Sequence, residues 1–214
     1  QSLQSHKAEE IIDHVVGSVV TDKQTMTETV IRSVFESLDG WHVTGTVTNT
    51  DMPGCKLYVE YGSVNSSTIY SQPQIPVNYR DSTKNLLHQI IARFDLSNTH
   101  FNAWFGFLWN HTSTEEGFGF QINDGVLKAH VRAGTTTIES AALSVDLSSP
   151  HIYRAQYDAT SGYVTFYIDG VEVADIVKPS GTWLDDGGPG HGIDVTQAND
   201  GNFIIGELFA SRQI

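Results

Sequence analysis

The stretch HIYRAQYDATSGYVTFYIDGVEVADI, residues 151–176, constrains the fold more than any other part of the chain. Apolar and polar residues alternate on both sides of a turn, and this period of two is typical of strands with one buried face. Residues 158–162 and the Asp169-Gly170 dipeptide are both typical of hairpin turns. The stretch therefore predicts three antiparallel strands joined by two turns, with Tyr157 opposite Val164.

The chain from Trp41 onward shows the same strand signals. Short runs rich in β-branched and aromatic residues are separated by Gly, Asn and Asp turns, a spacing that predicts an all-β sandwich or barrel. The runs predicted as strands are residues 41–48, 56–61, 67–72, 86–96, 101–110, 117–122, 126–132, 135–140, 142–147 and 202–214.

The first 40 residues follow a different pattern. Apolar residues between Ile11 and Val20 fit a helical stripe, although their β-branched content favours a strand equally. We interpret residues 1–26 as an N-terminal arm, which packs on its own domain as a helix, contacts another subunit or is disordered. Residues 27–214 are predicted to form the β domain, with residues 29–38 as its first strand.

Charge and composition exclude several classes of partner. The chain has 214 residues, 12 Lys plus Arg and 25 Asp plus Glu, and its formal net charge is −13. Nucleic acids and anionic membrane surfaces require basic patches, so neither is an expected partner. The sequence contains no run of 18 apolar residues, so no membrane insertion is expected. The single cysteine, Cys55, allows no intrachain disulfide.

Three segments carry a family resemblance. Residues 148–176, preceded by EEGFGFQINDGVLKAHVR, resemble the core of concanavalin A-like (laminin G-like) jelly-roll domains, in which an aromatic-basic strand meets a Tyr-x-Asp-Gly hairpin. FESLDGWHVTGTV is similar to the opening strand of such domains, and NFIIGELFASRQI is similar to their last strand. The resemblance implies a two-sheet antiparallel β-sandwich of jelly-roll type over roughly residues 35–214. Lectins, glycoside hydrolases, adhesion modules and virion proteins share this fold, which does not decide the function.

The carboxylates do not form the pattern that glycoside hydrolysis requires. Related hydrolases place a Glu-x-Asp-x-x-Glu run on one strand, so that the acidic side chains point into one groove. This sequence has no such run. Glu115 and Glu116 are adjacent, and Glu172 and Asp175 are three residues apart, so each pair would face opposite sides of a strand. We therefore expect no enzyme activity and assign no catalytic residue.

Aromatic side chains and one acidic loop are the candidate binding groups. Exposed aromatic rings can stack on sugars, and the candidates are Trp104, Trp109, Trp183 and Tyr167. Trp104 and Trp109 are five residues apart, so only one of them is expected to face the core. The Gly-rich segment 182–202 clusters carboxylates that suit calcium, namely Asp185, Asp186 and Asp194. A plain flexible loop is the alternative interpretation of this segment.

Two functions fit these features. One is a structural or assembly subunit, such as a virion decoration, turret or spike component or a cell-envelope protein, which also binds host or surface glycans. The other is a free-standing, calcium-dependent carbohydrate-binding module, and a glycoside hydrolase is a third, weaker alternative. The expected partners are other copies of the chain, neighbouring structural subunits and glycans. The expected location is extracellular, at a cell surface or at a virion surface.

Overall fold

The computed structural model describes residues 28–33, 41–44, 47–52, 55–61, 67–73, 82–96, 102–107, 116–181, 183, 190–195 and 201–212. Side-chain environments are described for residues 82–94, 102–107, 116–181, 183 and 211. The arm predicted for residues 1–26 lies outside the described residues.

The regular elements of the described residues are β-strands. They are β1 (Glu28–Ser33), β2 (Trp41–Thr44), β3 (Val47–Met52), β4 (Cys55–Tyr61), β5 (Ser67–Pro73), β6 (Leu86–Leu96), β7 (Asn102–Phe107), β8 (Gly117–Asn123), β9 (Val126–Ala133), β10 (Thr136–Glu139), β11 (His151–Asp158), β12 (Tyr163–Ile168), β13 (Val171–Val177), β14 (Gly190–Val195) and β15 (Gly201–Arg212).

These strands form two antiparallel sheets. The eight-stranded sheet has the order β13-β12-β11-β6-β15-β4-β3, with β1 also paired to β15. The seven-stranded sheet has the order β10-β9-β8-β7-β14-β5-β2. Some neighbouring strands are consecutive in sequence, as in β11-β12-β13 and β7-β8-β9-β10, whereas others, such as β6-β15 and β7-β14, are distant in sequence. The all-β sandwich predicted from the sequence is confirmed.

The hairpins of residues 123–126 and 151–176 follow the predicted chemistry. Tyr157 pairs with Val164, as the alternation predicts. The turn residues Asp124 and Asp169 have φ of 49° and 51°, and each precedes a glycine that also has positive φ. Two successive positive φ values are characteristic of type I′ turns, whose twist matches that of the flanking strands.

The structure corrects three predicted segments. Residues 41–48 are not one strand, because β2 joins the seven-stranded sheet and β3 joins the eight-stranded sheet. Residues 142–147 form no strand, although the backbone N–H of Leu143 donates to the carbonyl of Leu127. Part of the predicted loop 182–202 is strand β14, which lies between β7 and β5.

An aromatic cluster fills the space between the sheets. Phe94 and Tyr153 come from the eight-stranded sheet, and Phe105 and Phe120 come from the seven-stranded sheet. The ring centroids of Phe105 and Tyr153 are 5.0 Å apart, and those of Phe94 and Phe105 are 5.6 Å apart. Edge-to-face and offset contacts of this kind add to the free energy gained by burying the rings.

A histidine also lies in this apolar layer. His88 of β6 pairs with Ala155 on one side and Ala210 on the other, and its ring meets Phe107 edge-on at 6.2 Å. Its Nε2 atom is buried without a hydrogen-bond partner. Burial lowers the pKa of His88 to about 3, so the imidazole is neutral near pH 7.

Gly106 allows β7 and β8 to approach closely. A Cβ atom at this position would lie 2.5 Å from the Cα of Gly119 and 2.5 Å from the carbonyl oxygen of Phe118, and φ is +146°. Backbone atoms cannot move aside as a flexible side chain can. We expect Gly106→Ala to lower the free energy of unfolding by about 3 kcal/mol, measured by urea denaturation.

Gly125 is the matched control for Gly106. It also has positive φ, but nothing lies within 4 Å of an added Cβ atom. Gly125→Ala should therefore cost only about 1 kcal/mol through backbone strain. Equal losses in the two variants would contradict the close packing of β7 on β8.

Candidate functional site

The outer face of the seven-stranded sheet carries an unusual set of side chains. Ala103, Phe105 and Phe107 of β7 belong to the core. Successive residues of a strand face opposite sides, so Trp104 and Gly106 belong to the other face. Residues paired across neighbouring strands share that face.

A row of three glycines crosses the middle of this outer face. Gly190 of β14 pairs with Gly106 of β7, and Gly106 pairs with Gly119 of β8. The row continues to His130 of β9 and Glu139 of β10. We call Gly190, Gly106 and Gly119 the glycine row. It is a strip of backbone without side chains, buried at Gly106 and Gly119, and His130 follows it on β9.

Strand β9 borders the glycine row with basic side chains. Its core-facing residues alternate with Lys128, His130 and Arg132. The Lys128 Nζ atom donates to Glu139 at 2.8 Å, and His130 Nδ1 lies 3.4 Å from the other oxygen of that carboxylate. Arg132 donates from Nη1 to the hydroxyl of Thr137 at 3.0 Å. We call Lys128, His130, Arg132 and Glu139 the β9 cluster.

Polar atoms beside the glycine row are buried without partners. Trp104 is 1% exposed and His130 is 2% exposed. Trp104 Nε1, His130 Nε2 and Arg132 Nε have no hydrogen-bond partner. Burial lowers the pKa of His130, although Glu139 opposes the shift, so the ring is neutral near pH 7. Buried polar atoms usually have partners, so three such atoms on one face require an explanation.

Glu139 is held as a carboxylate by its neighbours. Burial raises its pKa, but the hydrogen bond and charge of Lys128, with His130 adding to them, outweigh this effect and leave the pKa below its ordinary value. Glu139 therefore fixes Lys128 and the Nδ1 side of His130. The other ring nitrogen, Nε2, makes no hydrogen bond.

Tyr167 lies on the outer face of the other sheet. It is half-buried, and the guanidinium carbon of Arg154 lies 4.2 Å from the centre of its ring. Arg154 also donates to the side-chain oxygen of Gln156 at 3.2 Å. One side of the Tyr167 ring is thus covered by a cation, which leaves at most the other side for a ligand.

Trp183 does not have the predicted exposed position. It is 2% exposed and packs against Tyr157 at 4.5 Å and Phe118 at 5.2 Å, while Nε1 donates to the carbonyl of Arg132 at 2.8 Å. Trp104 is also buried, with its ring on the outer face of β7 rather than in the main core. Neither ring is open to stack on a sugar, and Trp109 lies outside the described residues.

The predicted calcium ligands do not form a described cluster. Asp194 lies on β14, opposite Asn102 of β7 and Thr68 of β5. Asp185 and Asp186 lie outside the described residues. Within the ranges that the structure describes, no group of three or more His, Cys, Asp or Glu could hold a metal ion. Calcium binding stays a prediction.

His151 serves a structural role at the end of the sandwich. Its Nδ1 atom lies 2.6 Å from a carboxylate oxygen of Asp169, and Nε2 lies 3.0 Å from the carbonyl oxygen of Asp146. Asp169 also accepts the backbone N–H of Ile152. Both ring nitrogens face acceptors, so neither is left to act as a general base.

The β9 cluster is not apparent from the sequence alone. The signal was present in the segment LKAHVR, where basic residues alternate with apolar ones. Its importance depends on the pairing of β8, β9 and β10, which places Glu139 and Gly119 on either side of His130.

Solved structures with similar folds bear out the predicted jelly roll. A conserved carbohydrate esterase from the Shiga toxin-encoding bacteriophage phi24B matches with a TM-score of 0.63 and 13% identity, over 87% of this chain and 99% of the other. The Emp47p carbohydrate recognition domain matches with a TM-score of 0.59 and 13% identity, over 88% of this chain and 92% of the other. The T. cruzi calreticulin globular domain matches with a TM-score of 0.60 and 14% identity, over 87% of this chain and 89% of the other. No family model matches the chain, and no curated protein matches it in sequence.

The chain therefore shares the β-sandwich fold of these proteins. Identities this low define the architecture and not the ligand. The described part of the chain contains no helix that is long and apolar enough to cross a membrane.

Proposed function

We propose that the protein is a non-catalytic recognition module that binds glycans on the outer face of its seven-stranded sheet. The observation that carries this proposal is the glycine row, which ends at buried polar atoms without partners. Sugars present hydroxyl groups around a ring with an apolar face. The hydroxyls of a bound sugar would satisfy Trp104 Nε1 and His130 Nε2.

The fold neighbours support this choice of ligand class. A carbohydrate recognition domain and a carbohydrate esterase share the architecture over most of their length. We further propose that the module belongs to an extracellular, cell-surface or virion-surface protein, where other copies or neighbouring structural subunits would be its partners. A phage protein among the fold neighbours supports this setting.

A hydrolase is the second candidate, because His130 and Glu139 form a dyad with a free Nε2 atom. Ester hydrolysis by such a dyad requires a hydroxyl or thiol nucleophile at that nitrogen. In the described residues nothing hydrogen-bonds to Nε2, and the nearby Ser140 hydroxyl donates to the carbonyl of Ala141. These contacts favour binding over catalysis.

A glycan array tests the proposal with two variants. His130→Phe keeps the buried ring and removes Nε2, so glycan binding should fall by about tenfold or more while the melting temperature is retained. Thr165→Val is the control, since Thr165 bonds to Asp175 on the other sheet. It should leave binding unchanged.

Three outcomes separate the candidates. Binding that is lost in His130→Phe alone supports recognition by the outer face of the seven-stranded sheet. Binding that survives this substitution places the site elsewhere and overturns the proposed location. Release of acyl groups from esterified glycans by the unmodified protein, abolished in His130→Phe, would replace recognition by hydrolysis.

A further inference from the structure

We infer that the site on the seven-stranded sheet selects sugars that carry a carboxylate, with Arg132 as the residue that binds the charge. This inference rests on the proposed function and specifies its ligand. The charge distribution around the glycine row supports the inference. The contacts of Arg132 distinguish this residue from the other cations of the β9 cluster.

The β9 cluster is locally positive on a strongly acidic chain. The whole chain has 12 Lys plus Arg and a net charge of −13. Lys128 and Arg132 nevertheless share one face of β9 with His130, and the carboxylate of Glu139 contacts Lys128 and His130. With His130 neutral, the cluster keeps one uncompensated positive charge. An unpaired positive charge on an acidic protein attracts an anionic ligand group to the position of that charge.

Arg132 carries that uncompensated charge. Lys128 is paired with Glu139 at 2.8 Å, whereas no carboxylate is paired with Arg132 within the described part of the chain. The hydroxyl of Thr137 takes one donor of Arg132, and Nε has no partner. A guanidinium presents parallel N–H donors that match the two oxygens of a carboxylate. Arg132 therefore has the donors and the charge for a planar monoanion.

Arg132 lies beside two glycines of the adjacent strand. Arg132 pairs with Gly117 of β8, and His130 pairs with Gly119, so the adjacent strand presents backbone alone. His130 is 2% exposed, and its Nε2 atom has no hydrogen-bond partner. A sugar whose carboxylate binds Arg132 would lie beside His130, whose Nε2 atom has no hydrogen-bond partner.

Glu116 does not cancel this charge. Its carboxylate accepts the backbone N–H of Gly134 at 2.9 Å and lies close enough to Lys178 to influence the pKa of that amine. Glu116 is thus engaged with the turn after β9 and with Lys178.

Titration calorimetry with a matched pair of sugars tests the inference. Lactose and sialyllactose share a disaccharide, and only the second carries a carboxylate. Cellobiose and a glucuronic acid disaccharide provide a second pair with a different backbone. The protein should bind at least one acidic member about tenfold more tightly than its neutral partner, and the preference should weaken as salt is raised.

Arg132→Gln should remove the preference for the acidic sugar, so that the acidic and neutral members of a pair bind with equal affinity. Arg132→Lys should keep part of the preference, because it retains the charge without the paired donors. Arg154→Gln is the matched control, since Arg154 also lacks a carboxylate partner among the described residues but lies on the other sheet. It should not alter either affinity. Melting curves confirm that each variant is folded.

The outcomes separate this inference from the proposed function. Equal binding of neutral and acidic members would overturn the carboxylate inference and leave glycan recognition standing. Preference for a sulfated sugar alone would also overturn it, because sulfate is not the planar group inferred here. If a full glycan array shows no binding at all, both the function and its specificity fail. An acidic preference that persists in Arg132→Gln would place the anion site elsewhere.

Discussion

Acidification from pH 7 to pH 4 is expected to destabilise the protein by about 3 kcal/mol through His88 alone. Burial lowers the pKa of His88 from 6.5 to about 3 in the folded chain. Between these values the unfolded chain binds a proton that the folded chain does not bind. Stability is therefore unaffected above pH 6.5 and is lost as the pH falls from 6.5 towards 3, by about 1.4 kcal/mol per pH unit.

Urea unfolding at a series of pH values measures this effect. His88→Leu removes the titrating group from an apolar site, where the ring contacts Phe107 and the register neighbours Ala155 and Ala210 are apolar. In the variant, the free energy of unfolding should no longer fall between pH 6.5 and 4. It should still fall at lower pH, where carboxylates with lowered pKa such as Asp146 and Asp158 titrate. Identical pH profiles for the two proteins would contradict the buried position of His88.

Trp183→Ala is expected to lower the free energy of unfolding by about 3–5 kcal/mol. The indole is buried between Tyr157 and Phe118, its Nε1 atom donates to the carbonyl of Arg132, and the Lys178 ammonium lies 5.4 Å from the ring. Truncation leaves a cavity and an unsatisfied carbonyl. Urea denaturation gives the magnitude directly.

Trp183→Phe separates a packing role from sugar stacking. Phenylalanine keeps an aromatic ring and loses the hydrogen bond. The free energy of unfolding should therefore fall by about 1 kcal/mol in addition to the loss caused by the smaller side chain, and glycan binding should be retained. A Trp183→Ala variant that keeps its stability and loses glycan binding would restore the sequence-based hypothesis that this tryptophan is a sugar platform.

Much of the fold was predictable because it depends on local patterns. The period-two alternation of Tyr153, Ala155 and Tyr157 identifies one face of a strand, and Asp169-Gly170 identifies a type I′ turn. The structure has both features. Strand β14 was missed because the Gly-rich segment around it resembles a loop, and β14 gains its stability from pairing with β5 and β7.

The candidate site was harder to predict because tertiary contacts decide it. Sequence spacing puts Trp104 and Trp109 on opposite faces, yet Trp104 is buried on the face away from the main core. Trp183 follows a stretch that looks flexible from its sequence, yet its side chain is part of the buried core of the sandwich. The role of His130 depends on Gly119 and Glu139, which are 11 and 9 residues away in sequence and adjacent across the sheet.

The most direct test of glycan binding on the seven-stranded sheet is a nuclear magnetic resonance titration of the isotope-labelled protein with a sugar selected by the array. The account predicts shifts of the Trp104 indole N–H, of the Gly106 and Gly119 amides and of the His130 ring. The amide resonances of β11, β12 and β13 on the other sheet should not shift. Shifts confined to those three strands, with β7, β8 and β9 unaffected, would contradict the account.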